Sequence, residues 1–180
     1  MANSPQTIVL GGGCFWCTEA VYVNVRGITD VESGYSNGQG GQPSYEDVCT
    51  GRTGYNEVVK LTYDPEQIST QQILEIFFVI HDPTTINRQG NDSGTQYRSG
   101  IYYSTSEQRD TAEKFIHQAA NDRPLDDPIV TEVLPLMNYW PAEEYHQDFF
   151  KKNPTQGYCM AVAGPKVDKF RKTFAALTKN

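Results

Sequence analysis

Two sulfurs stand three residues apart behind a run of glycines, in Gly11-Gly12-Gly13-Cys14-Phe15-Trp16-Cys17-Thr18-Glu19-Ala20. A short apolar strand, Thr7 to Gly11, leads into the run, and a helix from Cys14 to about Val25 leads out of it. Both cysteines therefore lie at or near a helix N-terminus, where unpaired N–H groups and the helix dipole favour negative charge. Such a site lowers a thiol's pKa, and the thiolate is the nucleophilic form. The expectation is a low-pKa thiolate at Cys14. The glycines allow unusual backbone angles and the close approach of a ligand. Phe15 and Trp16 place two aromatic rings beside the sulfurs. Together these residues suggest redox chemistry on an apolar, sulfur-containing substrate. A free cysteine is also commonly a small buried hydrophobe, so position alone leaves both readings open.

The C-x-x-C spacing has two further readings. One is a thioredoxin-like dithiol. The other is a metal site, which needs a second ligand pair. Cys49 and Cys159 are isolated, and none of the three His residues is near in sequence. No metal is expected. The bulky Phe15-Trp16 pair sits where a docking protein would need access to a thioredoxin-like dithiol, which weakens that reading.

The surrounding pattern alternates strands and helices. Ile28 to Tyr35 and Glu57 to Tyr63 read as strands, the second from its polar–apolar alternation. Ser69-Thr70-Gln71-Gln72 has the capping-box pattern and opens a helix to about His81. That helix is apolar nearly all round and should be buried. Asp82 to Gly100 is a long polar loop, of a length that is usually functional. Ile101 to Tyr103 and Ile129 to Leu134 read as strands. Between them, Ala112, Phe115, Ile116 and Ala119 make one helical face. Pro141-Ala142-Glu143-Glu144 looks like a helix start, Gly157 to Gly164 like coil, and Lys166 to Leu177 like a last amphipathic helix. The order is roughly βαββαβαβαα, which fits a two-layer sandwich. Strand order does not follow from the pattern.

Composition sets the outer limits. The 180 residues fit one domain spanning 1–180, with enough chain to bury a core. Net charge is −7, which argues against nucleic acid and anionic membranes as partners. The longest apolar run, Ile76 to Ile80, is far too short to span a membrane. The first residues show neither a basic region nor an apolar stretch, so a cytoplasmic location is expected. Four cysteines are too few for a disulfide scaffold.

Other candidate residues look ordinary when taken singly. Glu57 opens a strand, where a carboxylate usually faces solvent. Asp92 and Tyr97 lie in the polar loop, Tyr45 reads as a core aromatic, and His146 as a helix-surface or capped core residue.

The segments nevertheless add up. Gly13-Cys14-Phe15-Trp16 resembles the signature of the peptide methionine sulfoxide reductase A family. The likeness continues through Gly34-Tyr35-Ser36, Pro43-Ser44-Tyr45, Val48-Cys49-Thr50-Gly51, Glu57-Val58-Val59 and Tyr63-Asp64-Pro65. Its longest stretch runs from His81 to Ser99, and Glu144-Tyr145-His146-Gln147 and Gly157-Tyr158-Cys159 complete it. The resemblance covers nearly the whole chain, in family order. It implies an α+β fold: a two-layer, ferredoxin-like sandwich with a mixed sheet, helices on one face, extra helices and long coil. It implies an oxidoreductase that repairs methionine S-sulfoxide, free or in proteins, under oxidative stress, with thioredoxin as reductant and no cofactor. Nothing in the sequence suggests more than a monomer. Cys14 would attack the sulfoxide sulfur. Phe15 and Trp16 would wall a pocket for the S-methyl group. Glu57 would protonate the oxygen, helped by Tyr45 and Tyr97, with Asp92 on the polar side. Cys159 would be the resolving cysteine, and Cys49 a buried structural one.

Two positions depart from the family pattern. Tyr55 stands where His is frequent, and Cys17 where Gly is common. Cys17 lies one helical turn from Cys14, within disulfide range. Either Cys159 resolves first and Cys17 is a spectator, or Cys17 resolves and Cys159 passes electrons outward. The first order is favoured. Two rival functions remain beside the reductase: a general disulfide oxidoreductase using Cys14 and Cys17, and a non-catalytic module binding Met side chains through Phe15 and Trp16.

Overall fold

A computed structural model describes residues 4–122 and 127–179. Its centre is a six-stranded mixed sheet. β1 (Gln6–Gly11), β2 (Ile28–Ser36) and β3 (Asn56–Tyr63) form the middle with β6 (Gly100–Tyr103); β7 (Glu132–Pro135) and β8 (Trp140–Pro141) are the edges, and the full order is β7-β6-β1-β3-β2-β8. β7 runs parallel to β6, and every other pairing in the sheet is antiparallel. A separate hairpin, β4 (Arg88–Gln89) with β5 (Asp92–Ser93), lies inside the long polar loop.

The period of two in the strands sorts their side chains between two cores. Ile8, Leu10, Val59, Leu61 and Ile101 face the helices α1 (Phe15–Tyr22), α3 (Thr70–Ile80) and α6 (Gly164–Thr173). Val9, Val58 and Tyr102 face the other way, under Leu136 and Tyr139. β1 is covered on both faces, which is why its sequence is a continuous apolar run. α4 (Ser106–Asn121) lies over α3 and the β6–β7 edge. The capping box before α3 forms as expected, with Ser69 Oγ accepting from Gln72 N–H.

Three local expectations are corrected. No α-helix opens at Pro141. Instead Trp140–Pro141 forms β8 on the outer edge of β2, where a residue without an N–H is tolerated. Glu143 spends its carboxylate on the Tyr35 hydroxyl (2.7 Å) and the Tyr45 N–H (2.9 Å), and a short 3₁₀ turn, Glu144–His146, follows. The 157–164 segment is helical rather than coil, with a π-turn at Cys159–Ala163 running straight into α6. α1 stops at Tyr22, short of Val25. A five-residue helix, α2 (Tyr45–Cys49), carries its own capping box on Ser44 and Asp47, and a single helical turn, α5 (Phe149–Lys152), precedes the 157–164 segment. No helix among the described residues is long and apolar enough to cross a membrane.

Candidate active site

Gly13 creates the site's geometry. Its φ is +94°, a left-handed value that swings the chain from β1 into α1 and leaves Cys14 as the N-cap residue. A Cβ at Gly13 would meet the Gln89 side chain at 2.9 Å. Gly13→Ala should therefore cost roughly 1–2 kcal/mol in a urea melt from backbone strain alone. Activity should fall further, on the order of tenfold or more, because Cys14 is displaced.

Glu57 is the second element. It shares the core face of β3 with Val59, Leu61 and Tyr63, two, four and six residues on, and is 1% exposed. A strand carboxylate taken singly would face solvent; this register instead buries Glu57, as the acid role implied by the family resemblance requires. Glu57 Oε1 accepts the Phe15 N–H (3.2 Å), a free donor of the first turn of α1. Its Oε2 is buried without a partner. Burial pushes the carboxyl up to about 8, with Asp92 and Cys17 adding to the rise and the Phe15 N–H opposing it. At neutral pH this group is mostly the protonated acid.

The cysteines reverse one expectation. Burial pushes the Cys14 thiol well above its ordinary value, and its hydrogen bond to Cys17 and the nearby Glu57 push the same way. The Trp16 N–H lowers it, but by less than burial raises it. The low-pKa sulfur is Cys17, brought down to about 7 chiefly by the hydrogen bond from Cys14, with Lys166 and Tyr158 assisting. The helix N-terminus is present, yet desolvation outweighs it at Cys14. The two thiols titrate as a coupled pair, Cys14 pushed up by burial and Cys17 pulled down by its neighbours.

Aromatic rings surround this pair. Phe15 stacks with Tyr45 (6.4 Å between centroids) and leans on Tyr35 (5.7 Å) and His146 (5.0 Å). Trp16 stacks flat on Phe149 at 3.7 Å. Tyr45 and Tyr97 both lie within the field of Glu57, and burial together with that carboxyl raises both phenols, so they remain hydrogen-bond donors. Asp92 accepts from the Tyr158 hydroxyl (2.6 Å), and Cys17 Sγ lies 3.6 Å from that hydroxyl oxygen. A cleft of about 1060 Å³ opens beside Cys14, Asp92, Tyr158 and Lys166.

Cys159 is buried in the π-turn directly after Tyr158, and its thiol is raised by burial and by Cys17. All four cysteines are free. Cys49, expected to be buried, is exposed at the end of α2, where its thiol meets the Tyr45 hydroxyl. Sequence reasoning gave no part in the site to Glu143, Tyr158 or His146. Position 158 adjoins a cysteine, but nothing local marks it as the partner of Asp92, 66 residues away.

A family model described as peptide methionine sulfoxide reductase matches residues 6–178. The chain belongs to the peptide methionine sulfoxide reductase family. A relative from Trichodesmium erythraeum, named peptide methionine sulfoxide reductase MsrA, is 54% identical over 94% of this chain and 96% of its own. The reduced form of Mxr1 from Saccharomyces cerevisiae superposes with a TM-score of 0.80 at 37% identity, covering 86% of this chain and 89% of that one. Mxr1 in complex with Trx2 superposes at 0.57 with 26% identity, covering 81% and 84%. Both the α+β architecture and the expected enzyme class are thereby established for this reductase.

Proposed function

We propose that this reductase converts methionine S-sulfoxide to methionine through Cys14, Glu57, Cys17 and Cys159 in turn. The observation that carries the reading is the buried Glu57, its Oε2 unpaired and its carboxyl pushed up to about 8 by burial, beside the Cys14–Cys17 pair. A sulfoxide has an electrophilic sulfur and a basic oxygen. Attack on that sulfur builds charge on the oxygen, which a positioned acid must neutralise. Glu57 donates its proton there, while Tyr45 and Tyr97 donate hydrogen bonds. Cys14 Sγ attacks the sulfur and passes its own proton to the Cys17 thiolate. The protonated oxygen then moves to Cys14 as a sulfenic acid, and the thioether leaves as methionine. Phe15 and Trp16 wall the S-methyl group.

The sulfenic acid needs a second thiol. Cys17 is already hydrogen-bonded to Cys14, so we assign it the first resolving step, against the order favoured on sequence. Cys17 Sγ bonds to Cys14 Sγ, and the hydroxyl leaves with the Cys17 proton as water. Cys159 then attacks Cys17 Sγ, the Cys14–Cys17 bond breaks with Cys14 leaving as a thiol that takes the Cys159 proton, and the resulting Cys17–Cys159 disulfide is exchanged with an external dithiol. Thioredoxin is the proposed dithiol, supported by the likeness to Mxr1 bound to Trx2. A single catalytic domain and a cytoplasmic setting complete the reading.

Turnover on resolved epimers tests it. The S-sulfoxide of a methionine peptide should be reduced with one methionine formed per disulfide, and the R-sulfoxide left intact. Activity on neither epimer would eliminate the proposal. Single-turnover rates should pass through a maximum near pH 7–8. They rise as the cysteine pair ionises near 7 and fall as Glu57 loses its proton near 8.

A further inference from the structure

Trp16 is held from outside its own helix. Its indole Nε1–H donates to His146 Nδ1 at 3.0 Å. An indole nitrogen only donates, so His146 Nδ1 must be bare and the ring proton must sit on Nε2. That Nε2–H is buried and has no partner, among the rings of Phe15, Tyr45 and Tyr145. His146 itself is 0% exposed. An apolar ring would fill the same space without an unsatisfied N–H, so the histidine's gain must lie in its other nitrogen.

The segment that carries His146, residues 142–149, forms a strap across α1 and β2 and is fastened at a second point. Glu19 is three residues after Trp16 and therefore on the same side of α1. It is 2% exposed, yet it holds the strap: Oε1 accepts the Phe149 N–H (3.2 Å) and Oε2 accepts from Ser33 Oγ (3.1 Å). It also takes a backbone hydrogen bond from Asp148, which has a left-handed φ of 55°. Gln147 adds a double clamp to Ser33, receiving its N–H and donating to its carbonyl, each at 2.9 Å. Phe149, placed by Glu19, is the ring on which Trp16 stacks. The indole is thus fixed on its edge by His146 and on its face by Phe149.

We infer that His146 and Glu19 are positioning residues which lock the Trp16 indole as the wall of the S-methyl pocket. They act on substrate fit rather than on proton or electron transfer. The inference rests on the placement of substrate against Trp16 proposed above.

The test uses the full reduced chain, nitrogen-15 labelled, with a methionine S-sulfoxide peptide as substrate and dithiothreitol as reductant. The two tryptophan indole signals are told apart with Trp140→Phe. In His146→Phe the Trp16 indole proton should move upfield as its acceptor is lost. KM should rise about tenfold, more than kcat falls. His146→Asn, which restores an acceptor near the Nδ1 position, should recover most of both. Glu19→Met should raise KM in the same way and Glu19→Gln should recover it, so the link is readable even if His146→Phe does not fold. An unmoved indole signal, or a moved one without a rise in KM, overturns the inference. If Trp16→Leu also leaves KM unchanged, the fault lies in placing the substrate against Trp16. If Trp16→Leu raises KM and the His146 and Glu19 variants do not, the fault lies in the positioning link.

Discussion

Glu57→Gln is expected to slow formation of methionine in a single turnover by ~10²–10⁴-fold, the usual weight of a positioned general acid. Gln keeps the shape and can still accept the Phe15 N–H, but it has no proton to give the oxygen. Exchange of a preformed disulfide with an external dithiol should continue near the wild-type rate, because that step uses only sulfurs. Equal loss of both steps would remove Glu57 from the acid role. The same variant carries an opposite effect on stability. The native carboxyl titrates near 8 and the ordinary value is 4.5. Between these pH values the unfolded chain releases this proton and the native one keeps it. Stability that is fully present below pH 4.5 is therefore lost as pH rises to about 8, on the order of 4–5 kcal/mol at about 1.4 kcal/mol per unit. Glu57→Gln lacks this loss. Melts at pH 5 and pH 9 should show wild type falling more than the variant, and parallel falls would contradict the buried, protonated assignment.

Cys17→Ser should have the next largest effect. Without Cys17 the buried Cys14 thiol has no neighbouring thiolate to take its proton, so the first step slows at neutral pH. Resolution slows more, on the order of a hundredfold, since a sulfur held one turn away is replaced by one that must arrive. One equivalent of substrate, followed by thiol counting and mass mapping, reads the outcome. Wild type should show the Cys14–Cys17 bond before any bond to Cys159. Cys17→Ser should accumulate the Cys14 sulfenic acid, and Cys159→Ser should stop at the Cys14–Cys17 disulfide. A Cys14–Cys159 bond forming at the wild-type rate in Cys17→Ser would make Cys17 a spectator.

The two effects have one origin. Desolvation raises Glu57 and Cys14 together. It supplies a neutral acid at the pH of catalysis, and it also suppresses the nucleophile at rest. In the proposed mechanism Cys17, one of the two positions that depart from the family pattern, offsets the second consequence by accepting the proton of Cys14.

Some of this was legible in the chain itself. The glycine turn, the two sulfurs and the two aromatic rings are contiguous, so local geometry alone brings them together at the start of α1. The Ser69 cap and the alternation from Val59 to Tyr63 likewise announce α3 and β3, because caps and periodicity are properties of neighbouring residues. The pattern of β3 even held the clue to Glu57: a residue two before Val59 must share its face.

Other features depended on residues far apart in the chain. Pro141 reads as a helix start until β2 offers it an edge, and Glu143 reads as a first-turn acid until Tyr35 and Tyr45 claim it. The charge on the cysteine pair depended on how much water the packed rings exclude, and on Glu57, Tyr158 and Lys166 arriving from distant segments. Residue type and spacing determined which groups could react. Their protonation was decided by the tertiary structure, because desolvation depends on what surrounds a group and local sequence does not specify that.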